Sequence, residues 1–307
     1  MIELDRLYPG PGQILAKAEF LQPGGSIKDR TALEILTLAE RQGLLHPRQR
    51  VVEMTSGNMG AGLAVVCNLL LHPLTLAMSA GNSSERVAML TGLGAEVILV
   101  DQADGRPGEV TGLDIAAATT EAERLASDLG AYYVDQFHNE GNILAHLRTT
   151  RPEVWEQSNG EVDGFVSCVG TGGTFTGISQ FLKSRRTSIV CAAVEPAGAE
   201  VLAGNSVSKP RHILQGTGYG QLPPNWNPDL MDLSIAVTDD EAIEYRHRLA
   251  VDEGLYVGYS SAANVCAAAK LLNSGQVGPR GRVVTVLCDT GLKYPAKAVR
   301  SEDKLIS

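Results

Sequence analysis

The chain has 307 residues, of which 44% are hydrophobic, and its formal net charge at pH 7 is −9. This length and composition predict a globular protein with a sizeable core, in one large or two medium domains. The negative charge argues against a nucleic-acid-binding surface, which is normally basic. Neither a signal peptide nor an apolar run long enough to span a bilayer is evident, so we expect a cytoplasmic protein that does not contact membranes.

Strand-like and helix-like patterns alternate along the whole chain. The short apolar runs that predict strands are 51–54, 74–78, 96–100, 132–134, 164–169, 189–194 and 282–288. The longer patterns that predict helices are 60–71, 83–93, 111–129, 174–185, 239–253 and 260–273. Alternation of this kind predicts an α/β fold with a largely parallel sheet covered by helices. The segment 196–232 is rich in glycine and proline, and such a long loop predicts one wall of a site.

The first chemical feature along the chain is a lysine in the stretch 24–30, Gly-Gly-Ser-Ile-Lys-Asp-Arg. Ser26 followed by Asp29 resembles a capping box, which would place Lys28 in the first turn of a helix. A lysine with a lowered pKa is the usual side chain for a Schiff base, and the preceding glycines allow close approach of a cofactor. The alternatives are a solvated lysine beside an ordinary helix cap, or a Ser26/Lys28 acyl-transfer pair. The spacing disfavours the second, because Ser-x-Lys does not place both groups on one helix face.

A second feature is the sequence Thr-Ser-Gly-Asn-Met-Gly at 55–60, between a predicted strand and a predicted helix. Hydroxyls, an amide and a helix N-terminus together suit a carboxylate, which accepts charge-assisted hydrogen bonds from backbone N–H groups. An ordinary helix cap is the alternative interpretation.

A third feature is the glycine-rich turn at 170–174, Gly-Thr-Gly-Gly-Thr, which also lies between a predicted strand and a predicted helix. Backbone N–H groups, the helix dipole and threonine hydroxyls there would bind a phosphate. The turn is not a Walker loop, because no Lys-Ser/Thr follows, and Phe175 occupies the last glycine position of a dinucleotide motif. A lysine, a phosphate site and a carboxylate site together are what an amino-acid enzyme that uses pyridoxal phosphate requires.

These motifs, together with Gly-Tyr-Ser-Ser at 258–261, occur in the order typical of one family. The sequence resembles the cysteine synthase and cystathionine β-synthase family of fold-type II pyridoxal-phosphate enzymes from about residue 15 to residue 294. The resemblance implies two open, mostly parallel twisted sheets covered by helices, as in the tryptophan synthase β subunit. It implies a smaller, mobile domain at 31–132 and a larger cofactor-binding domain formed by 1–30 and 133–307. It also implies a homodimer, pyridoxal 5'-phosphate as the cofactor, and no metal.

The resemblance also implies a role for each motif residue. Lys28 would be the Schiff-base lysine and proton shuttle, Asn58 would bind the ring oxygen of the cofactor, and Thr290 would bind the pyridine nitrogen. The phosphate would be bound by Gly170, Thr171, Gly172, Gly173 and Thr174. The amino-acid substrate would be bound by Thr55, Ser56, Gly57, Met59, Gln136, Gly216 and Tyr219, with its carboxylate at Thr55, Ser56 and Gln136. Asp289 lies beside Thr290 in the sequence, but we expect it to point away because neighbours in an extended segment face opposite ways.

Two departures from the family bear on the substrate. Met59 replaces the usual threonine, which removes one hydroxyl donor for the carboxylate, and Tyr219 is typical of the cystathionine β-synthases. The predicted reaction is β-replacement on an activated serine, in which O-acetylserine and sulfide give L-cysteine and acetate. The alternatives are serine with homocysteine, an amine nucleophile giving a diamino acid from an activated serine such as O-phosphoserine, and a silent relative that binds a partner's C-terminal peptide.

Five cysteines are spread along the chain without a Cys-x-x-Cys pair. This pattern predicts buried free thiols rather than disulfides or a metal centre. The cysteines are Cys67, Cys168, Cys191, Cys266 and Cys288.

Overall fold

The strands and helices alternate as predicted. The computed structural model describes residues 1–108 and 110–294. In chain order, the strands are β1 (Ile2–Glu3), β2 (Gln13–Ala18), β3 (Val51–Met54), β4 (Leu74–Ser79), β5 (Glu96–Val100), β6 (Tyr132–Tyr133), β7 (Gly164–Cys168), β8 (Val190–Pro196), β9 (Leu233–Val237) and β10 (Arg282–Leu287). The helices are α1 (Lys28–Arg41), α2 (Asn58–Leu70), α3 (Ser84–Gly92), α4 (Gly112–Leu129), α5 (Gly141–Ala145), α6 (Arg151–Gln157), α7 (Gly173–Arg185), α8 (Asp239–Asp252) and α9 (Tyr259–Asn273). A π-helical turn, His146–Thr150, joins α5 to α6.

The strands form two separate sheets. One has the order β1-β2-β10-β7-β8-β9, and the other has the order β5-β4-β3-β6. All neighbouring strands are parallel except β1 and β2. The predicted fold class, two mostly parallel sheets covered by helices, is therefore confirmed. The division into domains 31–132 and 1–30 with 133–307 stays a prediction, and its residues 295–307 lie outside the described part.

The carboxyl ends of three strands hold the predicted motifs. β3 leads into the loop 55–57 and α2, β7 leads into the loop 169–172 and α7, and β10 leads into Asp289 and Thr290. Isolated β-bridges pair Ser26 with Asp289 and Val257 with Thr290, which brings the segment before α1 to the end of β10. Ligand sites in open parallel sheets lie at the carboxyl ends of strands, so this is the edge at which a site is expected.

Several elements were missed by the sequence patterns. Strands β1, β2 and β9 and helices α5 and α6 were not predicted. β1 has two residues, too few to show a pattern. β2 (Gln-Ile-Leu-Ala-Lys-Ala) and β9 (Leu-Ser-Ile-Ala-Val) are mostly apolar and carry a pattern from which strands could have been predicted. The segment from α5 to α6 changes from α-helix to π-helix and back, which disrupts the 3.6-residue period that reveals a helix.

The predicted capping box at α1 is wrong. The helix begins at Lys28, but Oδ2 of Asp29 accepts a hydrogen bond from the backbone N–H of Gly24, 2.5 Å away, and not from Ser26. The hydroxyl of Ser26 accepts a hydrogen bond from the N–H of Lys28, at 3.3 Å. Gly25, with a φ of +73°, turns the chain so that Gly24 lies over the first turn of the helix. The N–H of Gly24 then takes the Asp29 carboxylate, which in a capping box would bind the N–H of Ser26.

The cysteines lie mostly in the interior of the protein. Four of the five cysteines are buried, and Cys288 is half-buried. No helix in the described part of the chain has both the length and the apolar character that crossing a bilayer would need.

Candidate active site

A cavity of about 740 Å³ lies where the carboxyl ends of β3, β7 and β10 meet. Every residue predicted from the sequence to bind cofactor or substrate lines this cavity, with the exception of Gly173. The residues come from segments more than 200 positions apart, so the structure brings three separate motifs around one space. Their individual roles stay predictions.

Lys28 is the first residue of α1, and its side chain reaches into the cavity. Its Nζ lies 3.5 Å from Oγ1 of Thr171, in the glycine-rich turn. Burial lowers the pKa of the Lys28 amine to about 8, while the nearby groups Cys288 and Glu53 act in the opposite direction. An amine with this pKa is partly neutral at physiological pH, which is the state in which it acts as a base or a nucleophile.

The turn at 170–174 leaves little room for side chains. Gly172 has a φ of +89° and immediately precedes α7. A Cβ at Gly170 would lie 2.2 Å from the carbonyl oxygen of Gly216, and one at Gly173 would lie 2.2 Å from Oδ1 of Asn142. The backbone therefore approaches its neighbours closely, and the first N–H groups of α7 have no partner within the helix. These free donors and the helix dipole favour an anion at this position.

Two buried side chains behind the turn fix its hydroxyls. Nδ2 of Asn142 donates to Oγ1 of Thr171 at 2.8 Å, and Nε2 of His146 lies 3.1 Å from Oγ1 of Thr174. Burial lowers the pKa of His146 to about 3, so its imidazole is neutral. Nδ1 of His146 contacts the hydroxyl of Thr150 at 2.9 Å. If Thr150 donates to Nδ1, Nε2–H donates to Thr174, and the Thr174 hydroxyl keeps its own hydrogen for a ligand.

The loop 55–57 provides the N-terminus of α2. Oγ1 of Thr55 accepts hydrogen bonds from the N–H groups of Gly57 and Gly60, both at 3.0 Å. Thr55 therefore caps the N-terminus of α2, as in the alternative interpretation of this loop as an ordinary helix cap. Its hydroxyl hydrogen is not used by these two bonds and can be donated to a ligand. Met59 is 3% exposed, packs in the core around α2 and also lines the cavity, where it presents a thioether and no donor.

Asn58, at the start of α2, is held at both ends of its amide. Nδ2 donates to Oδ2 of Asp289 at 2.7 Å, and Oδ1 accepts from Nζ of Lys293 at 2.9 Å. Asp289 also accepts a hydrogen bond from the hydroxyl of Tyr294, and burial raises the pKa of its carboxyl. Thr290 lines the cavity, whereas Asp289 is buried behind Asn58. The expected opposite orientation of these two neighbours is therefore observed.

The long loop contributes the opposite wall. Gly216 and Tyr219 line the cavity, together with Gln215 and Thr217. The ring of Tyr219 makes an edge contact with Phe137, with centroids 5.8 Å apart, and burial raises the pKa of its hydroxyl to about 12. Tyr219 is thus neutral and presents an aromatic surface and a hydroxyl donor to this side of the site.

Comparison with known proteins identifies the class of this site. Residues 1–289 match the family model described as pyridoxal-phosphate dependent enzyme. The chain belongs to this family. It is 37% identical to cysteine synthase A of Salmonella typhi over 306 residues. The alignment covers 97% of this chain and 91% of the relative.

Solved structures give the same result. The structure of O-acetylserine sulfhydrylase isoform 3 from Entamoeba histolytica superposes with a TM-score of 0.87 at 30% identity and covers 96% of this chain and 86% of that one. The structure of O-ureido-L-serine synthase gives a TM-score of 0.88 at 29% identity, with coverage of 100% and 93%. The chain is thus a pyridoxal-phosphate dependent enzyme of the cysteine synthase type.

The residues present are compatible with this cofactor. The turn at 170–174 supplies hydroxyls and free N–H groups, which suit a phosphate, and Lys28 supplies an amine beside it. Thr290 offers a hydroxyl, and one hydrogen of Nδ2 of Asn58 is not used by Asp289. The donor set therefore matches a molecule with a phosphate, an aldehyde, a ring oxygen and a ring nitrogen.

Sequence reasoning missed the residues behind the cavity wall. Asn142, His146 and Lys293 contact motif residues but belong to no glycine-rich or hydroxyl-rich motif. Lys293 is the only one of them with a sequence signal, since it follows the Asp-Thr-Gly stretch by two positions. Asn142 and His146 come from the unpredicted segment around α5, so nothing in the pattern directed attention to them.

Proposed function

We propose that this protein catalyses β-replacement on an activated serine, in which O-acetylserine and sulfide give L-cysteine and acetate. The observation that carries the proposal is the Lys28 amine, whose burial-lowered pKa is about 8, 3.5 Å from the hydroxyl of Thr171 in the anion-binding turn. Only a reaction that uses an amine beside a bound phosphate gives both groups a purpose.

The named activities of the relatives support this choice. Cysteine synthase A of Salmonella typhi aligns with 97% of the chain, and O-acetylserine sulfhydrylase isoform 3 of Entamoeba histolytica superposes on 96% of it. The first name describes the synthesis of cysteine, and the second describes a reaction of O-acetylserine with sulfide.

Binding of the cofactor and substrate follows from the donor set. N–H groups of α7 and the hydroxyls of Thr171 and Thr174 would hold the phosphate, and the hydroxyl of Thr290 would face the ring nitrogen. The N-terminus of α2 and the hydroxyl of Thr55 face the substrate carboxylate. When bound, pyridoxal phosphate supplies an electron-withdrawing ring that stabilises negative charge at the substrate α-carbon.

Lys28 moves the proton. Its amine accepts the α-proton of the substrate, and the acetate group then leaves from the β-carbon. After sulfide has attacked the β-carbon, the ammonium group returns a proton to the α-carbon. Both transfers work near neutral pH because the pKa of the amine, about 8, lies close to the working pH. Because a neutral hydroxyl such as that of Thr290 would not protonate a ring nitrogen as a carboxylic acid would, this residue would favour elimination of the β-substituent over transamination.

The test combines a spectrum with an assay. The purified protein is expected to show a visible absorption band from its cofactor, and to form cysteine from O-acetylserine and sulfide. Lys28→Ala should abolish cysteine formation, while Lys183→Ala, which removes an amine paired with Asp232 far from the cavity, should not. A band without turnover of any serine derivative would overturn the reaction and favour the silent, peptide-binding relative.

We also infer a cytoplasmic homodimer with a smaller, mobile domain at 31–132. These inferences rest on the resemblance to the family and on the separate four-stranded sheet, which is built from residues 51–133. Light scattering coupled to size-exclusion chromatography tests the dimer, for which the expected mass is twice the 32.6 kDa of one chain. A monomeric mass would contradict it.

A further inference from the structure

A buried carboxyl group lies directly behind the predicted substrate ligand Gln136. Glu53, on β3, is 1% exposed. Its Oε1 is 3.1 Å from Nε2 of Gln136, and its Oε2 has no hydrogen-bond partner among the described residues. Glu53 itself does not line the cavity, whereas Gln136 does. Glu53 therefore does not touch a ligand in the cavity itself, but it contacts Gln136, which does line it.

The orientation of the Gln136 amide conflicts with carboxylate binding. Nε2 donates to Glu53 and is also 3.4 Å from the carbonyl oxygen of Met54, which leaves Oε1 as the free polar atom of the side chain. An amide oxygen accepts hydrogen bonds only, so it would repel a substrate carboxylate. A half-turn about the terminal bond exchanges the oxygen and the nitrogen without changing the shape of the side chain.

The half-turn requires a proton on Glu53. After it, Oε1 of Gln136 would face Oε1 of Glu53 at 3.1 Å and the carbonyl oxygen of Met54 at 3.4 Å. A hydrogen on Glu53 turns the first contact into a hydrogen bond, while the longer contact with Met54 stays one between two acceptors. We propose that Glu53 is a positioning residue, whose neutral carboxyl donates to Oε1 of Gln136 and so holds the N–H groups of that amide toward the substrate carboxylate. This inference rests on the proposed function in taking the ligand to be an amino acid whose carboxylate lies at Gln136, the role that the family resemblance predicts for this residue.

The surroundings of Glu53 favour the neutral form. Burial raises the pKa of its carboxyl to about 8, although the Gln136 side chain and the backbone N–H groups of Asp135 and Gln136 lower it. The negative charge of Asp135 raises the pKa of Glu53 further. The other titratable groups near it are Tyr132 and Tyr133 on β6 and Lys28 on α1. Below a pH of about 8 the carboxyl of Glu53 therefore carries its proton. Above this pH it ionises, and the Gln136 amide turns its N–H groups back toward Glu53 and away from the substrate.

The test compares two ligands on the cofactor-bound protein. L-Alanine has the substrate's carboxylate but no leaving group, and ethylamine has the same alkyl amine without a carboxylate. Dissociation constants are measured from the cofactor spectrum between pH 6.5 and 9.5. For Gln136→Ala we expect L-alanine to bind about tenfold more weakly at pH 7, as for the loss of one hydrogen bond to a charged group, with ethylamine unaffected.

Glu53→Gln is the isosteric variant that does not titrate. Its L-alanine affinity should stay within about threefold of the parent at pH 7, because its amide still donates to Oε1 of Gln136. The parent should lose about tenfold in L-alanine affinity above pH 8 relative to this variant, because the ionised carboxyl no longer donates. In the Gln136→Ala background, Glu53→Gln should have no further effect.

Two results would overturn the role of Glu53. One is an equal pH dependence of L-alanine affinity in the parent and in Glu53→Gln, and the other is additivity of the effects of the two substitutions. If Glu53→Gln does not fold, Gln136→Ala carries the test, since the pH dependence specific to L-alanine must disappear there as well. L-Alanine binding does not require turnover, so a parent that binds it but makes no cysteine refutes the proposed reaction and still tests Glu53.

Discussion

Asn58 and Asp289, 231 positions apart, share a hydrogen bond of 2.7 Å between Nδ2 and Oδ2. Because Lys293 donates to the other end of the Asn58 amide, the side chain is fixed in one orientation. This orientation is the one in which Asn58 would bind the ring oxygen of the cofactor, the role predicted for it from the resemblance. The carboxylate after β10 thus positions a residue at the start of α2, on the other sheet.

This relationship gives the first prediction, for Asp289→Asn. The new amide can still accept from one donor, but it lacks the charge that draws both Asn58 and the Tyr294 hydroxyl. We expect the cofactor absorption maximum to shift and the protein to lose about 1–3 kcal/mol of stability. Tyr294→Phe is the comparison variant, since it removes one donor to Asp289 and keeps both the carboxylate and its hydrogen bond with Nδ2 of Asn58. Identical cofactor spectra in the parent and Asp289→Asn would contradict the positioning role.

The second prediction concerns pH and Lys28. Because burial lowers the pKa of this amine from 10.5 to about 8, the unfolded chain holds the proton more tightly than the folded one. The folded state therefore bears a full penalty below pH 8, of roughly 3 kcal/mol, which disappears as the pH rises toward 10.5. In the cofactor-free protein, Lys28→Met should have a higher free energy of unfolding than the parent at pH 7. At pH 10 the difference between the two proteins should be much smaller.

Denaturant unfolding at the two pH values measures this difference. A stability gain of the same size at pH 7 and pH 10 would show that the effect is packing and not the desolvation of the charge.

A third prediction concerns Met59. Replacement by threonine supplies a hydroxyl donor at the N-terminal turn of α2, and one hydrogen bond to a charged group is worth about 1.5–3 kcal/mol. We expect kcat/KM for O-acetylserine to rise about tenfold in Met59→Thr, with a loss of about 1–3 kcal/mol of stability because the buried thioether is removed. Met59→Leu keeps the packing without the donor and should leave kcat/KM near the parent value. An unchanged kcat/KM in Met59→Thr would remove Met59 from the residues that set substrate affinity.

The fourth prediction concerns the mouth of the cavity, where Arg86 joins two of its walls. The guanidinium donates to the carbonyl oxygen of Ser56 at 2.8 Å and to Oε1 of Gln215 at 2.5 Å, and it stacks over the ring of Tyr294. Arg86→Ala should raise KM for O-acetylserine about tenfold, with a smaller change in kcat, because two charge-assisted hydrogen bonds that hold the walls together are lost.

Hydrogen exchange of the backbone at 215–219 should become faster in the same variant. Arg124→Ala is the matched control, because that arginine is exposed and pairs only with acidic residues on its own helix among the contacts that the described structure gives it. Unchanged exchange at 215–219 in Arg86→Ala would show that the contact with Gln215 does not order the loop.

Much of the fold could be predicted because its strands and helices carry strong local patterns. Strands β3 and β5 match the predicted ranges 51–54 and 96–100, and the predicted helices start and end within about two residues of those observed. The patterns failed at β1, which has two residues, and around α5, where a π-helical turn interrupts the helical period. β2 and β9 were missed although most of their residues are apolar, and both pair with strands from distant parts of the chain.

The sequence by itself determined the residue types at the site. Glycines that permit close approach, hydroxyls beside helix N-termini and a lysine at a helix start are local features, because each depends on a few neighbouring residues. Only the tertiary structure decided which groups act on them. Burial lowers the pKa of the Lys28 amine. Three buried residues contact site residues from outside the cavity: His146 contacts Thr174, Asp289 contacts Asn58, and Glu53 contacts Gln136. Desolvation and side-chain hydrogen bonds depend on distances between segments far apart in the chain, which no local pattern records.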